Sequence, residues 1–177
     1  MGVIMEGGAV PGWVDEVLKE LSRLGPKEIL SHIITQELKR AELYYELYEM
    51  SGEVTWDQRV PRLFKHLYEN SLKRAEGYVN LFRELFPGES LEPPKVDTPG
   101  PKILKDRLWR LVYSGNVGEI IEYLIQFEDL SDRILTRLEG LLSEDAKEAL
   151  SRARALENTN RELLRELYRE LTGEEPL

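Results

Sequence analysis

Cysteine is absent from this 177-residue chain, and histidine occurs only at His32 and His66. The first absence excludes disulfides, thiolate-held zinc, iron–sulfur clusters and a catalytic thiol. The second means that any metal centre must be built mainly from oxygen ligands. Long apolar runs are also missing. No stretch approaches the roughly 20 residues of a membrane span, and residues 1–12 carry neither the basic start nor the apolar run of a signal peptide. Lysine and arginine are not clustered, and the net charge is −9. Phosphate neutralisation needs a basic surface, so a nucleic-acid partner is not expected. There is no glycine-rich phosphate loop, no His-Glu-x-x-His, no Walker lysine and no Ser-His-Asp set. The expectation is a cytoplasmic protein with no nucleic acid, no membrane and no identifiable redox partner.

Apolar residues make up 41% of the chain, enough for a core, and the 32% that are charged are mostly Glu, Lys and Arg. With abundant Leu, that mixture favours helix. A Glu-rich, Cys-free chain also fits a thermophile. After a leader over 1–12, a short amphipathic helix is expected over about 13–24, and Gly25-Pro26 resets the chain. Four longer helical patterns follow, over about 26–50, 57–86, 116–140 and 143–171. Asp57, Asn116 and Ser143 stand at N-cap positions, and Glu144 and Asp145 suit the positive end of the last helix dipole. The proline-rich stretch 87–101 is a connector, with a short helix near 103–113 inside the crossover. Short links make antiparallel neighbours, and the long segment allows a crossover. The architecture read from this is all-α: two helical hairpins joined by one long crossover, with residues 1–25 apart from a bundle over 26–177. Leu81-Phe82-Arg83-Glu84-Leu85 recurs as Leu167-Tyr168-Arg169-Glu170-Leu171, a modest sign of duplication that maps Ser71 onto Glu157 and Arg74 onto Asn160.

Steps of three and four trace the core face of each long helix. The stripes run Leu30, Ile34, Glu37, Ala41, Tyr44; Phe64, Leu67, Ser71, Arg74, Tyr78, Leu81; Ile121, Leu124, Glu128, Ser131, Leu135, Leu138; and Leu150, Ala153, Glu157, Asn160, Leu164, Leu167. Each is interrupted near its middle by polar residues, which a bundle would bring to one depth. A buried carboxylate must be paired, protonated or metal-bound. Glu37, Glu128 and Glu157 with Arg74 leave a surplus of two negative charges, which one divalent cation or protonation would remove.

From these residues the chain resembles the ferritin-like superfamily, rubrerythrin-related branch, over roughly 26–172. The family's ligand set is a Glu from each of two helices and Glu-x-x-His from each of the other two, holding two iron or manganese ions. Glu37-Leu-Lys-Arg-Ala-Glu-Leu-Tyr44 is similar to its first helix, and Glu128 matches the ligand of its third. In the second helix Ser71 stands at the Glu position and Arg74 at the His position. In the fourth, Glu157 is kept and Asn160 replaces His. Ser131 fills a position that is acidic in some rubrerythrins. The resemblance implies a depleted metal site of Glu37, Glu128 and Glu157, with one iron or manganese ion for limited redox or metal-handling chemistry. It also implies a homodimer. The alternative is a metal-free bundle in which Arg74 forks onto the carboxylates, acting as a dimerisation or interaction module. The fate of Arg74 separates the two. Tyr44, Tyr45, Tyr48 and Tyr78 are expected to fill the core with their hydroxyls partnered, in preference to a redox role, His32 and His66 to be surface or boundary histidines away from the layer, and Glu69 and Glu76 to form a solvated face. The short first helix, with Trp13, Val14, Val17, Leu18 and Leu21, is a candidate surface for a partner or a second copy.

Overall fold

A computed structural model describes residues 12–54, 57–98, 100–156 and 158–176, and within helices it leaves the side chains of 100–101 and 158–161 undescribed. Among these residues the chain is all-α, with no strand. The helices are α1 (Trp13–Leu21), α2 (Pro26–Val54), α3 (Arg59–Leu85), α4 (Gly100–Ser114), α5 (Val117–Glu139), α6 (Glu144–Ala155) and α7 (Asn158–Thr172). None is long and apolar enough to cross a membrane. The expected leader falls outside the described residues.

The sequence punctuation is seen at work. Pro26 opens α2, where its missing N–H is no loss. Asn116 caps α5 by accepting from the Glu119 N–H at 3.1 Å, and Ser143 caps α6 from the Ala146 N–H. Asp57 accepts from the Arg59 N–H at 3.0 Å and so serves the start of α3 from just outside it. Gly115 takes a positive φ of 71° between α4 and α5, a conformation a side chain would strain.

The antiparallel pair α2·α3 is the most extensive contact; α2 also packs on α4 and α6, and α5 on α7, α4, α1 and α6. Arg154 fastens α6 to α5 through Asp132 at 2.7 Å and Glu139 at 3.0 Å, and Tyr168 of α7 donates to Glu122 of α5 at 2.8 Å. The fourth long pattern is not one helix. It breaks after Ala155, where the Leu156 N–H turns back to the Ala153 carbonyl. Residues 158–160 read Asn-Thr-Asn, three poor helix formers whose short polar side chains compete for backbone bonds. The break lets α6 lie on α2 while α7 lies on α5. Nor is α1 an open face: Val14 and Leu18 are buried within this chain, against Leu138, Ala146 and Leu150.

The core falls into blocks. One is built from Leu43, Tyr44 and Leu47 of α2, 60–67 of α3, α4, most of α5, and Leu164 and Tyr168 of α7. The others gather 29–34 of α2 with α1 and α6, and with Tyr78, Leu81 and Phe82 of α3. On α2 the gap between blocks holds Glu37, and on α3 it holds Ser71 and Arg74. Leu47 is fully buried while Leu38 of the same helix is 46% exposed. In urea unfolding, Leu47→Ala should therefore cost about 2–5 kcal/mol and Leu38→Ala no more than about 0.5 kcal/mol; equal costs would mean that α2 buries a different face.

Candidate functional site

Glu37 sits two turns into the buried face of α2 and is 3% exposed. Its counterpart across the hairpin is Arg74 of α3, 6% exposed. Arg74 Nη2 stands 2.7 Å from Glu37 Oε1. The contact is ionic rather than an aligned hydrogen bond, since Oε1 has no hydrogen-bond donor among the described residues. Arg74 also donates a long bond of 3.5 Å to the fully buried Ser71 hydroxyl. Its Nε and Nη1 have no hydrogen-bond partner among the described residues. Burial acts most strongly on this guanidinium and opposes its charge. The Glu37 and Glu128 carboxylates outweigh that, so its pKa stands above the ordinary arginine value.

A second arginine completes the layer. Arg40, one turn beyond Glu37 on α2, reaches Glu128 of α5 at 3.2 Å and Glu37 Oε2 at 3.6 Å. Its guanidinium also lies 6.0 Å from the Phe127 ring, at the edge of cation–π range. Two carboxylates thus meet two guanidiniums, and these four charges sum to zero. The surplus expected from the sequence counted Arg74 but passed over Arg40, which falls one residue outside a stripe stepped from Glu37 to Ala41. Its position three residues after Glu37, the spacing of helix-face neighbours, was the signal that could have found it. Tyr44, 3% exposed and one turn further along α2, is near enough to feel all four charges; burial raises its pKa and keeps the phenol protonated.

Of the site residues expected from the sequence, Glu37, Ser71, Arg74 and Glu128 come together. Ser131 is half-buried and lines a pocket between α1, α2 and α5. Glu157 lies outside the described residues, and the side chain of Asn160 is likewise undescribed. Among the described residues no group of three or more His, Asp or Glu side chains converges as an ion would require. The carboxylates that do converge, Glu37 and Glu128, are held by arginines. A guanidinium cannot give up its proton to become a ligand, so an ion would have to displace it. His66, Glu69 and Glu76 are exposed, as expected. Tyr45 departs from its expected place in the core and is 44% exposed, whereas Tyr44 and Tyr78 are buried.

His32 is half-buried, at the boundary where the sequence allowed it. It lines a pocket between α1, α2 and α5, and burial, helped by Lys39, pushes its imidazole down to about 4. No family model, curated protein or solved structure matches the chain.

Two outcomes test these electrostatics. Arg74→Met alone should cost about 3–5 kcal/mol, because it strands Glu37 in the interior, whereas Glu37→Leu with Arg74→Met should be close to neutral or stabilising. Unfolding midpoints in urea decide it, and a double variant as unstable as the single would refute the pairing. The folded state holds His32 neutral while the unfolded chain takes up a proton below about 6.5. Stability should accordingly fall as pH drops from about 6.5 to about 4, by up to about 3 kcal/mol from this residue. The difference between wild type and His32→Gln, measured at pH 7 and pH 4, isolates that contribution; a difference independent of pH would sink it.

Proposed function

We propose that this chain is a ferritin-like bundle whose mid-core carboxylates are neutralised by arginine in place of metal, and that it works as a non-catalytic dimerisation or interaction module. The observation that carries the reading is the buried Arg74–Glu37 contact at 2.7 Å, with a cation of the chain occupying a position where the resembling family has a ligand. Arg40 extends it by engaging Glu128 and the second oxygen of Glu37. The α2·α3 hairpin, the α5 pairing with α6 and α7, and the long connector bearing α4 support the ferritin-like arrangement. With no unpaired carboxylate among Glu37 and Glu128, the layer offers neither a poised base nor an open coordination position.

The outward side of the α2·α3 hairpin supports the interaction role. Leu38 and Tyr45 on α2 and Leu72 on α3 are 40–46% exposed, and the Tyr45 ring meets Tyr68 at 5.2 Å. Leu38 and Tyr45, seven residues apart, share a face of α2, and Tyr45 meets Tyr68, which lies one turn from Leu72 on α3. Apolar strips of this kind mark association surfaces. The expected partner is a second copy of the chain.

Protein purified without a metal-affinity tag and then loaded with ferrous iron or manganese should retain no stoichiometric metal by mass spectrometry. Sedimentation velocity should show a dimer that Leu38→Glu with Leu72→Glu converts to monomer. One ion per chain, lost in Glu128→Ala, would overturn the metal-free reading. A wild-type monomer at high concentration would overturn the dimer.

A further inference from the structure

Charge along the α2·α3 hairpin is sorted by sign at the end where the two helices are linked. From Ala41 to Gln58 the chain has no lysine or arginine, and from Gln58 to Tyr68 it has no aspartate or glutamate. Glu46, Glu49 and Glu53 follow one another at steps of three and four and so share a face of α2, and Arg62 and Lys65 likewise share a face of α3. Glu49, Glu53, Arg62 and Lys65 are exposed and have no ion-pair partner among the described residues. Glu46 is taken by Lys105 of α4 at 3.1 Å. Nearer the middle of the hairpin the signs mix, with Glu42 on α2 and Glu69 and Lys73 on α3.

Both rows stand at the wrong helix ends. There is no basic residue in the last turn of α2 and no acidic residue in the first turn of α3. Glu53 lies instead at the negative end of the α2 dipole and Arg62 at the positive end of the α3 dipole, each against the preferred sign. Within one chain this placement is unfavourable, and opposite charges on a neighbour would offset it. The register of the hairpin sets the two rows side by side. Glu37 and Arg74 meet across it at 2.7 Å. Glu49 stands twelve residues after Glu37 and Arg62 twelve before Arg74, so antiparallel helices of equal rise bring them to one level. Glu46 and Lys65, nine residues away in each direction, share another. Tyr45, one turn before Glu49, meets Tyr68, one turn after Lys65, at 5.2 Å, so the rows border the apolar contact.

We propose that two copies of this chain associate with α2 of each laid along α3 of the other, so that Glu49 and Glu53 of one copy meet Arg62 and Lys65 of the second. The arrangement rests on the dimer proposed above and fixes its geometry. A two-fold axis parallel to the helices produces it and makes the contact twice, because such an interface uses the same patch of each copy. That axis preserves level, so the acidic row of one copy reaches the basic row of the other. An axis across the hairpin would lay α2 on α2 and set glutamate against glutamate, which like-charge repulsion disfavours. The apolar residues between the rows supply contact area, and the rows select one arrangement over the other.

The test is sedimentation equilibrium of the full chain and of two charge-reversed variants, Glu49→Lys with Glu53→Lys, and Arg62→Glu with Lys65→Glu. All four positions are exposed, and the reversals set charge in accord with the helix dipoles, so circular dichroism should show both variants folded. Each variant alone should self-associate at least about tenfold more weakly than wild type, because each row then faces its own sign. Mixed in equal amounts, the two should form a heterodimer within about threefold of the wild-type affinity, since both contacts again join opposite signs. A wild-type monomer at high concentration would overturn the dimer and this arrangement together. A wild-type dimer whose variants self-associate undiminished, or whose mixed variants fail to recover, would overturn the arrangement alone.

Discussion

The arrangement depends on one electrostatic constraint: two carboxylates lie inside a helical core, and each must meet positive charge there. Glu37 faces Arg74 across the α2·α3 hairpin, and Arg40 spans from Glu37 to Glu128 on α5. A buried ion pair is weak evidence for net stability, since desolvation of both partners offsets much of their attraction. Its geometry is specific to one register: sliding α3 against α2 by one turn would part Arg74 from Glu37. The polar layer lies between the apolar blocks of the core.

Much of the fold was legible because its signals are local. Caps at Asn116 and Ser143, the proline at the head of α2, and the periodic Leu and Ile positions of α2, α3 and α5 all act over a few residues, and the helices lie within a few residues of their expected bounds. The split of the last long pattern was less legible. Its apolar stripe continues in register from Leu150 to Leu164, so periodicity reads one helix, whereas the weak propensity of Asn158-Thr159-Asn160 and the competing attractions of α2 and α5 divide it.

The site was legible in part. The interruptions of the stripes on α2, α3 and α5 fall at the layer of Glu37, Arg74 and Glu128, and Arg74 was recognised as the residue that decides its character. Arg40 was missed because a stripe drawn in single steps treats a helix face as a line, whereas a long guanidinium sweeps a wide arc and reaches inward from the flank. The pocket between α1, α2 and α5 was not legible at all. His32, Trp13 and Thr98 belong to separate segments, and only packing brings them to one pocket.

A further consequence concerns where the layer's positive charge comes from. Arg40 and Arg74 are tethered to the same backbone as the carboxylates they face, so their local concentration is set by chain geometry and not by the surrounding medium. Dilution, chelators and scarcity of ions leave that concentration unchanged, and the permanent charge of a guanidinium removes any alkaline limit within the range proteins endure. The balance among Glu37, Glu128, Arg40 and Arg74 is thereby inherited through translation.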